Sequence, residues 1–143
     1  MLSKHPNICG IKEASGNISQ ICEIASYISD DFDLYSGNDD QIVPILACGG
    51  KGVISVLSGV IPTETVAMCD KFFAGDVAGA MALQVKYLDL INALFCEVNP
   101  IPAKAAAAAM GFGENYLRLP LVPMEKPHEE MLLTLMREAG VNV

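Results

Sequence analysis

Cys9-Gly10-Ile11-Lys12-Glu13-Ala14-Ser15-Gly16-Asn17 is an apolar run that carries one lysine to its end and then breaks into a Ser-Gly-Asn turn. Ile8, Cys9 and Ile11 read as a short buried strand, and Ala14 to Asn17 as the loop and cap of a helix starting near Ile18. Lys12 therefore belongs near the C-terminal end of a strand. In α/β folds that end faces the ligand crevice, because the loops leaving it are free to line a site. A lysine held there among apolar side chains loses hydration of its ammonium form and deprotonates more easily. The neutral amine is then a nucleophile toward a carbonyl carbon.

The pattern repeats outward from this stretch. Ile18, Ile21, Cys22, Ala25 and Ile28 follow the spacing of a one-faced helix that Asp30 and Asp31 end. Phe32 to Ser36 reads as a second strand, leaving into Gly37-Asn38-Asp39-Asp40. Gln41 to Cys48 reads as a short helix, and the β-branched run Val53 to Leu57 as a third strand covered on both faces. Pro62 opens a further helix, and the alternation of strand and helix is the signature of parallel βαβ units. After Gly75 the strands stop. Val77 to Glu97 reads as one long helix burying Met81, Val85, Leu88 and Ile91, with Gln84, Lys86, Asp89 and Asn92 facing away. Asn99-Pro100-Ile101-Pro102 breaks it, with Pro102 opening the helix of the alanine run 105 to 109. An extended crossing from Leu117 to Pro123 leads to a last helix, Pro127 to Ala139, closed by Gly140. The expected division is an α/β part over 1–75 and a helical region over 76–143.

The 143 residues, 52% of them apolar, suffice for one ordered domain. A formal charge of -8 argues against a sequence-independent grip on nucleic acid or anionic lipid. The longest apolar stretch, Ile42 to Pro62, is broken by Gly49, Gly50, Lys51 and Gly52, so neither a membrane span nor a signal peptide is expected. That Gly-Lys turn also lacks the spacing of a phosphate-binding loop. The five cysteines are widely spaced with apolar neighbours and read as small buried hydrophobes, without the clustering of a metal or disulfide framework. No metal and no cofactor is expected, and a reducing cytoplasm fits best.

Three apolar parallel strands leave a sheet with two edges, and strands of this kind need covering neighbours. Earlier strands, from another chain or a longer one, are expected to complete it. Four motifs carry a resemblance that says which sheet this is: Gly10-Ile11-Lys12-Glu13-Ala14-Ser15-Gly16-Asn17, Ser36-Gly37-Asn38-Asp39, Gly49-Gly50-Lys51-Gly52-Val53-Ile54-Ser55-Val56, and Asn99-Pro100-Ile101-Pro102 with Arg118-Leu119-Pro120. Together, in this order and at these separations, they resemble the dihydrodipicolinate synthases. The resemblance runs over essentially the whole chain but corresponds only to the second part of the family's fold. It implies the C-terminal part of a TIM (β/α)8 barrel, strands six to eight with their helices, followed by a helical extension. A complete barrel takes about 250 residues.

The resemblance implies that Lys12 forms a Schiff base with pyruvate, and that the enamine attacks aspartate semialdehyde on the diaminopimelate route to lysine. It implies pyruvate contacts at Gly37 and Ile54, with Asn38 as a further candidate. The family's proton-relay tyrosines and threonine, carboxylate-binding arginine and lysine feedback site lie in the part not matched. Tyr27, Tyr35, Tyr87, Tyr116 and Arg118 do not correspond to them. Without a relay, acid–base help of about 10²- to 10⁴-fold is missing, and the isolated chain is expected to be nearly inactive. The competing expectation is a non-catalytic fragment, or half of a split enzyme, that self-associates or pairs with an N-terminal half through its strand edges. A sibling pyruvate aldolase such as N-acetylneuraminate lyase matches the lysine but fits the motifs at Ser36 and Asn99 less well.

Overall fold

In the computed structural model, which describes residues 2–143, the lysine-bearing stretch is a strand, β1 (Gly10–Glu13). It pairs in parallel with β2 (Asp33–Ser36), Lys12 opposite Tyr35 and Glu13 opposite Ser36. The second strand pairs in parallel with β3 (Gly52–Val53), giving the order β1-β2-β3. Parallel neighbours need a crossover, and both crossovers are helical. The first is α1 (Ile18–Ala25); the second is α2 (Ile42–Ala47), entered through a 3₁₀ turn at Asp39–Gln41. The expected βαβ order is therefore present.

In this part of the chain β1 begins at Gly10 instead of Ile8, and the third strand and the first helix end earlier than the sequence reading, each for a local reason. The third strand does not run from Val53 to Leu57. Ile54 still donates its N–H to the Ser36 carbonyl at 2.8 Å, but Gly37 turns its own N–H back to the Glu13 carbonyl at 2.6 Å. The neighbouring strand β2 ends at Ser36, and Leu57–Gly59 winds into a 3₁₀ turn. The first helix stops at Ala25 instead of reaching Asp30. Ser26 donates its hydroxyl to the Glu23 carbonyl at 2.6 Å, competing with the helical ladder, and Ser29 and Phe32 form an antiparallel bridge before β2.

The described residues form two compact units. The first comprises the residues up to Ser55 together with Ala67–Gln84. Its core is Ile21 of α1, Leu34 of β2 and Ile45 of α2, with Ile11, Ile24, Ala25, Ile28 and Cys48 packed around them. Full burial of an Ile or Leu side chain contributes about 1.5–3 kcal/mol, so these three residues largely determine how α1 and α2 seat on the sheet. The cysteines do not follow the reading of small buried hydrophobes: Cys9, Cys22 and Cys96 are exposed. On α1 the buried stripe passes through Ile21, and its neighbour Cys22 turns to solvent.

The second unit comprises Val56–Val66 and Val85–Val143. Helix α3 (Pro62–Phe73) begins in it, and α4 (Val77–Lys86) ends in it. The single long helix expected from Val77 to Glu97 is two helices, α4 and α5 (Leu88–Ala93), interrupted at Tyr87 with φ −99° and ψ 9°. The buried stripe is also different. Ala80, Gln84, Tyr87, Leu90, Ile91 and Leu94 are buried, whereas Met81, Val85 and Leu88 are exposed. Gln84 supplies the reason: its amide donates to the Asp39 carbonyl at 2.8 Å and accepts the Val43 N–H at 3.2 Å, which turns that face inward. Helices α5 and α6 (Ile101–Ala109) both pack on α7 (Lys126–Glu138), whose Leu132 and Met136 are fully buried. No helix of the described residues is long and apolar enough to cross a membrane.

Candidate active site

The parallel sheet brings three strand exits to one end. Residues Glu13, Ser36 and Val53 close the strands, and the loops leaving them carry Ala14 to Asn17, Gly37 to Asp40 and Ile54. Because side chains alternate along a strand, Lys12 and Glu13 must face opposite sides. Lys12 is exposed; Glu13 is buried, with 3% of its surface accessible. Tyr35 shares the face of Lys12 through the register. Gly52 lies on that face too, where a β-carbon would meet the Tyr35 ring at 3.7 Å, and Ile54, two residues on, continues it. Ile54 is half exposed.

Lys12 and Gly37 are in direct contact. A β-carbon on Gly37 would lie 2.9 Å from Lys12 Cε, 2.9 Å from Ala14 Cβ and 3.0 Å from the Glu13 carbonyl oxygen. Glycine is therefore needed because the lysine stem crosses its α-carbon, while its N–H ties the second exit to the first. Asn38 accepts the Ser36 hydroxyl on its carbonyl at 2.7 Å, and the same oxygen of Ser36 receives the Asn38 N–H at 3.3 Å. This local clasp fixes the turn that presents Gly37. Of the four candidates, Lys12 and Gly37 touch, Asn38 adjoins them through the turn, and Ile54 enters through its main-chain bond to Ser36. The apolar surroundings expected for the lysine are not supplied here, since solvent reaches its side chain.

A polar frame lies behind these residues, in which the Asn17 cap follows the sequence reading and the contacts of Glu13 and Gln41 do not appear in it. Glu13 Oε1 accepts the Ser15 N–H at 3.0 Å and the Gln20 side-chain amide at 3.2 Å, while Oε2 is buried with no hydrogen-bond partner among the described residues. Asn17 caps α1 by accepting the N–H groups of Ser19 and Gln20 at 3.0 and 3.3 Å. Gln41 donates to the Gly16 carbonyl at 3.3 Å, joining the second loop to the first. The signal for Glu13 was available: a residue next to an outward lysine on a strand must point at the helix layer. Gln41 carried no such signal, because its partner lies 25 residues away.

The two larger cavities described among residues 2–143 lie elsewhere. One of about 660 Å³ opens near the N-terminal ends of the strands beside His5, Cys9, Asp30 and Asp33, and one of about 670 Å³ lies between α5 and α7. Neither is lined by Lys12, Gly37, Asn38 or Ile54.

Comparison with known proteins gives this arrangement a family. Residues 1–139 match the model of the dihydrodipicolinate synthetase family. The 4-hydroxy-tetrahydrodipicolinate synthase of Alkaliphilus oremlandii is 53% identical over 140 residues, covering 98% of this chain and 48% of the relative. That of Caldicellulosiruptor saccharolyticus is 52% identical over 142 residues, covering 99% and 48%. Among solved structures, dihydrodipicolinate synthase from Thermotoga maritima superposes with a TM-score of 0.93 at 43% identity, covering 96% of this chain and 48% of the other. The Aquifex aeolicus enzyme gives 0.93 at 34% identity, covering 98% and 48%. The chain thus spans about half the length of the curated relatives it matches. It belongs to the dihydrodipicolinate synthetase family, and its fold is the C-terminal part of that family's (β/α)8 barrel with the helical region that follows.

Proposed function

We propose that this chain is the C-terminal part of a Schiff-base lyase that condenses pyruvate with aspartate semialdehyde in a cytoplasmic route to diaminopimelate and lysine. The observation that carries the reading is the contact of the Lys12 stem with Gly37 where two adjacent parallel strands end. In this role the Lys12 amine adds to the keto carbon of pyruvate, and loss of water leaves a protonated imine. The imine draws electrons from the neighbouring methyl group, which gives up a proton to form an enamine. The enamine carbon then attacks the aldehyde of aspartate semialdehyde. Gly37 and Asn38 offer backbone groups close to the lysine, and Ile54 an apolar wall on the same face. Residues 1–75 are the barrel portion in this reading, and 76–143 the helical region.

Borohydride trapping tests it. The chain, combined with the N-terminal half of a close relative, is incubated with pyruvate, reduced, digested and mapped. A carboxyethyl adduct on the Lys12 peptide, absent in Lys12→Ala, is expected. An adduct spread over Lys51, Lys71 and Lys104, or none at all, would overturn the assignment.

A second reading has its own observation: among the described residues β1 and β3 each keep one edge unpaired in the three-stranded sheet. On that reading the chain is a non-catalytic piece, or one half of a split enzyme, and associates through those edges. Size-exclusion chromatography separates the cases. A monodisperse monomer that binds no hydrophobic dye would exclude association.

A further inference from the structure

The Cys22 and Cys48 sulfurs lie 3.9 Å apart, one on α1 and the other closing α2. Cysteines 26 residues apart in sequence come this close because of packing beneath them. Ile21, next to Cys22, and Ile45, one turn before Cys48, are both fully buried against Leu34, and Cys48 itself leans on that cluster. The backbones that carry the two thiols are thus held by the core. The sulfurs can swing about their own Cα–Cβ bonds. A disulfide needs about 2.05 Å between sulfurs, so closure asks for roughly 2 Å of combined movement by two short side chains.

From this geometry we infer that Cys22 and Cys48 form a dithiol site that low-molecular-weight disulfides oxidise to an intramolecular disulfide. The two thiols have different roles. Cys22 is exposed and is the sulfur an external disulfide reaches first; Cys48 is half-buried. Burial pushes the Cys48 thiol above its ordinary value, and its hydrogen bond to Cys22 and that thiol's charge add to the effect. Cys22 is therefore the attacking sulfur on the ground of its exposure, and Cys48 the sulfur that closes the bond.

In the first step the Cys22 thiolate attacks one sulfur of an external disulfide RS–SR. The S–S bond breaks, RS⁻ leaves, and a Cys22–S–SR mixed disulfide remains. In the second step Cys48 loses its proton to solvent and its thiolate attacks the Cys22 sulfur, expelling the second RS⁻. Two protein thiols are oxidised, one external disulfide is reduced to two thiols, and the protons end on solvent or the released thiolates. The product joins the helices that follow β1 and β2. It does not depend on any role for Lys12.

Oxidised glutathione is the probe, applied to the whole chain at neutral pH and followed by thiol titration, intact mass and a non-reducing peptide map. Of the five free cysteines, two should disappear from the titration, with the loss of two hydrogens in mass, one Cys22–Cys48 cross-linked peptide and full reversal by dithiothreitol. In C48S the reaction should stop at a glutathione adduct on Cys22. The wild-type map does not rely on any variant folding. The proposal is overturned if the cross-link forms instead through Cys9, Cys69 or Cys96, if it joins two chains, if the adduct accumulates on wild-type Cys22 without closing, or if no thiol is lost.

Discussion

Gly37 leaves no space for a methyl group, because the Lys12 stem, the Ala14 methyl and the Glu13 carbonyl all lie within about 3 Å of where it would go. Gly37→Ala should therefore cost about 1–3 kcal/mol, the range for forcing an atom into filled space, and move the lysine as well. Urea unfolding would show the first effect, and a fall in pyruvate trapping at Lys12 the second. Glu13 makes a different prediction. Removing its side chain in Glu13→Ala strands the Ser15 N–H and the Gln20 amide, at a cost of about 1–3 kcal/mol. Glu13→Gln keeps an acceptor for both donors, and its new NH₂ takes the place of an oxygen that has no donor. It should lose little stability. A pair of unfolding curves distinguishes a hydrogen-bonding role, in which only Ala is harmful, from a need for charge, in which both are.

At the scale of elements, Gln84 links α4 to the start of α2 by filling two backbone positions there. Gln84→Leu would preserve bulk but leave the buried Val43 N–H without an acceptor, so a loss of about 1–3 kcal/mol is expected in denaturant unfolding. The second unit holds a pH-dependent link. Glu97 Oε1 meets His128 Nδ1 of α7 at 2.7 Å and accepts the Glu125 N–H at 3.0 Å. The His128 hydrogen bond holds the Glu97 carboxyl below its ordinary value; desolvation opposes it, and the Glu125 N–H and the imidazole charge add smaller help. A carboxyl lowered in this way stabilises the fold at pH above its ordinary value of about 4.5, and that contribution is lost as pH falls through the lower folded-state value. Thermal unfolding from pH 6 to pH 3 should therefore decline more steeply for the wild type than for Glu97→Gln. Parallel curves would show that the link carries no stability.

For the whole molecule, the decisive facts are the two unpaired strand edges and a length near half that of the relatives. Lys12 is exposed to solvent in this chain. If residues that precede the match in the relatives complete the barrel, adding them as a separate polypeptide should give a complex on size-exclusion chromatography and raise the trapping of pyruvate at Lys12. The general acid–base share of catalysis, about 10²- to 10⁴-fold, should return with them. Unchanged elution and unchanged trapping would favour the non-catalytic reading.

The parallel βαβ order, the place of Lys12 at a strand end, the glycine at 37 and the irregular, proline-marked path to α7 are legible in the amino-acid order alone. These rest on neighbours in the chain: alternation, turn chemistry and caps act over a few residues and are legible there. What the tertiary structure decided involves partners far apart in sequence. Met81, Val85 and Leu88 form a more apolar stripe than Ala80, Gln84 and Tyr87, yet the second set is buried, because Gln84 finds backbone partners more than 40 residues earlier. The third strand is short because its neighbour ends at Ser36, and Cys22 meets Cys48 because three buried side chains bring their helices together. Hydrophobic periodicity records which residues favour burial. Only the packed chain settles which face a buried hydrogen bond turns inward.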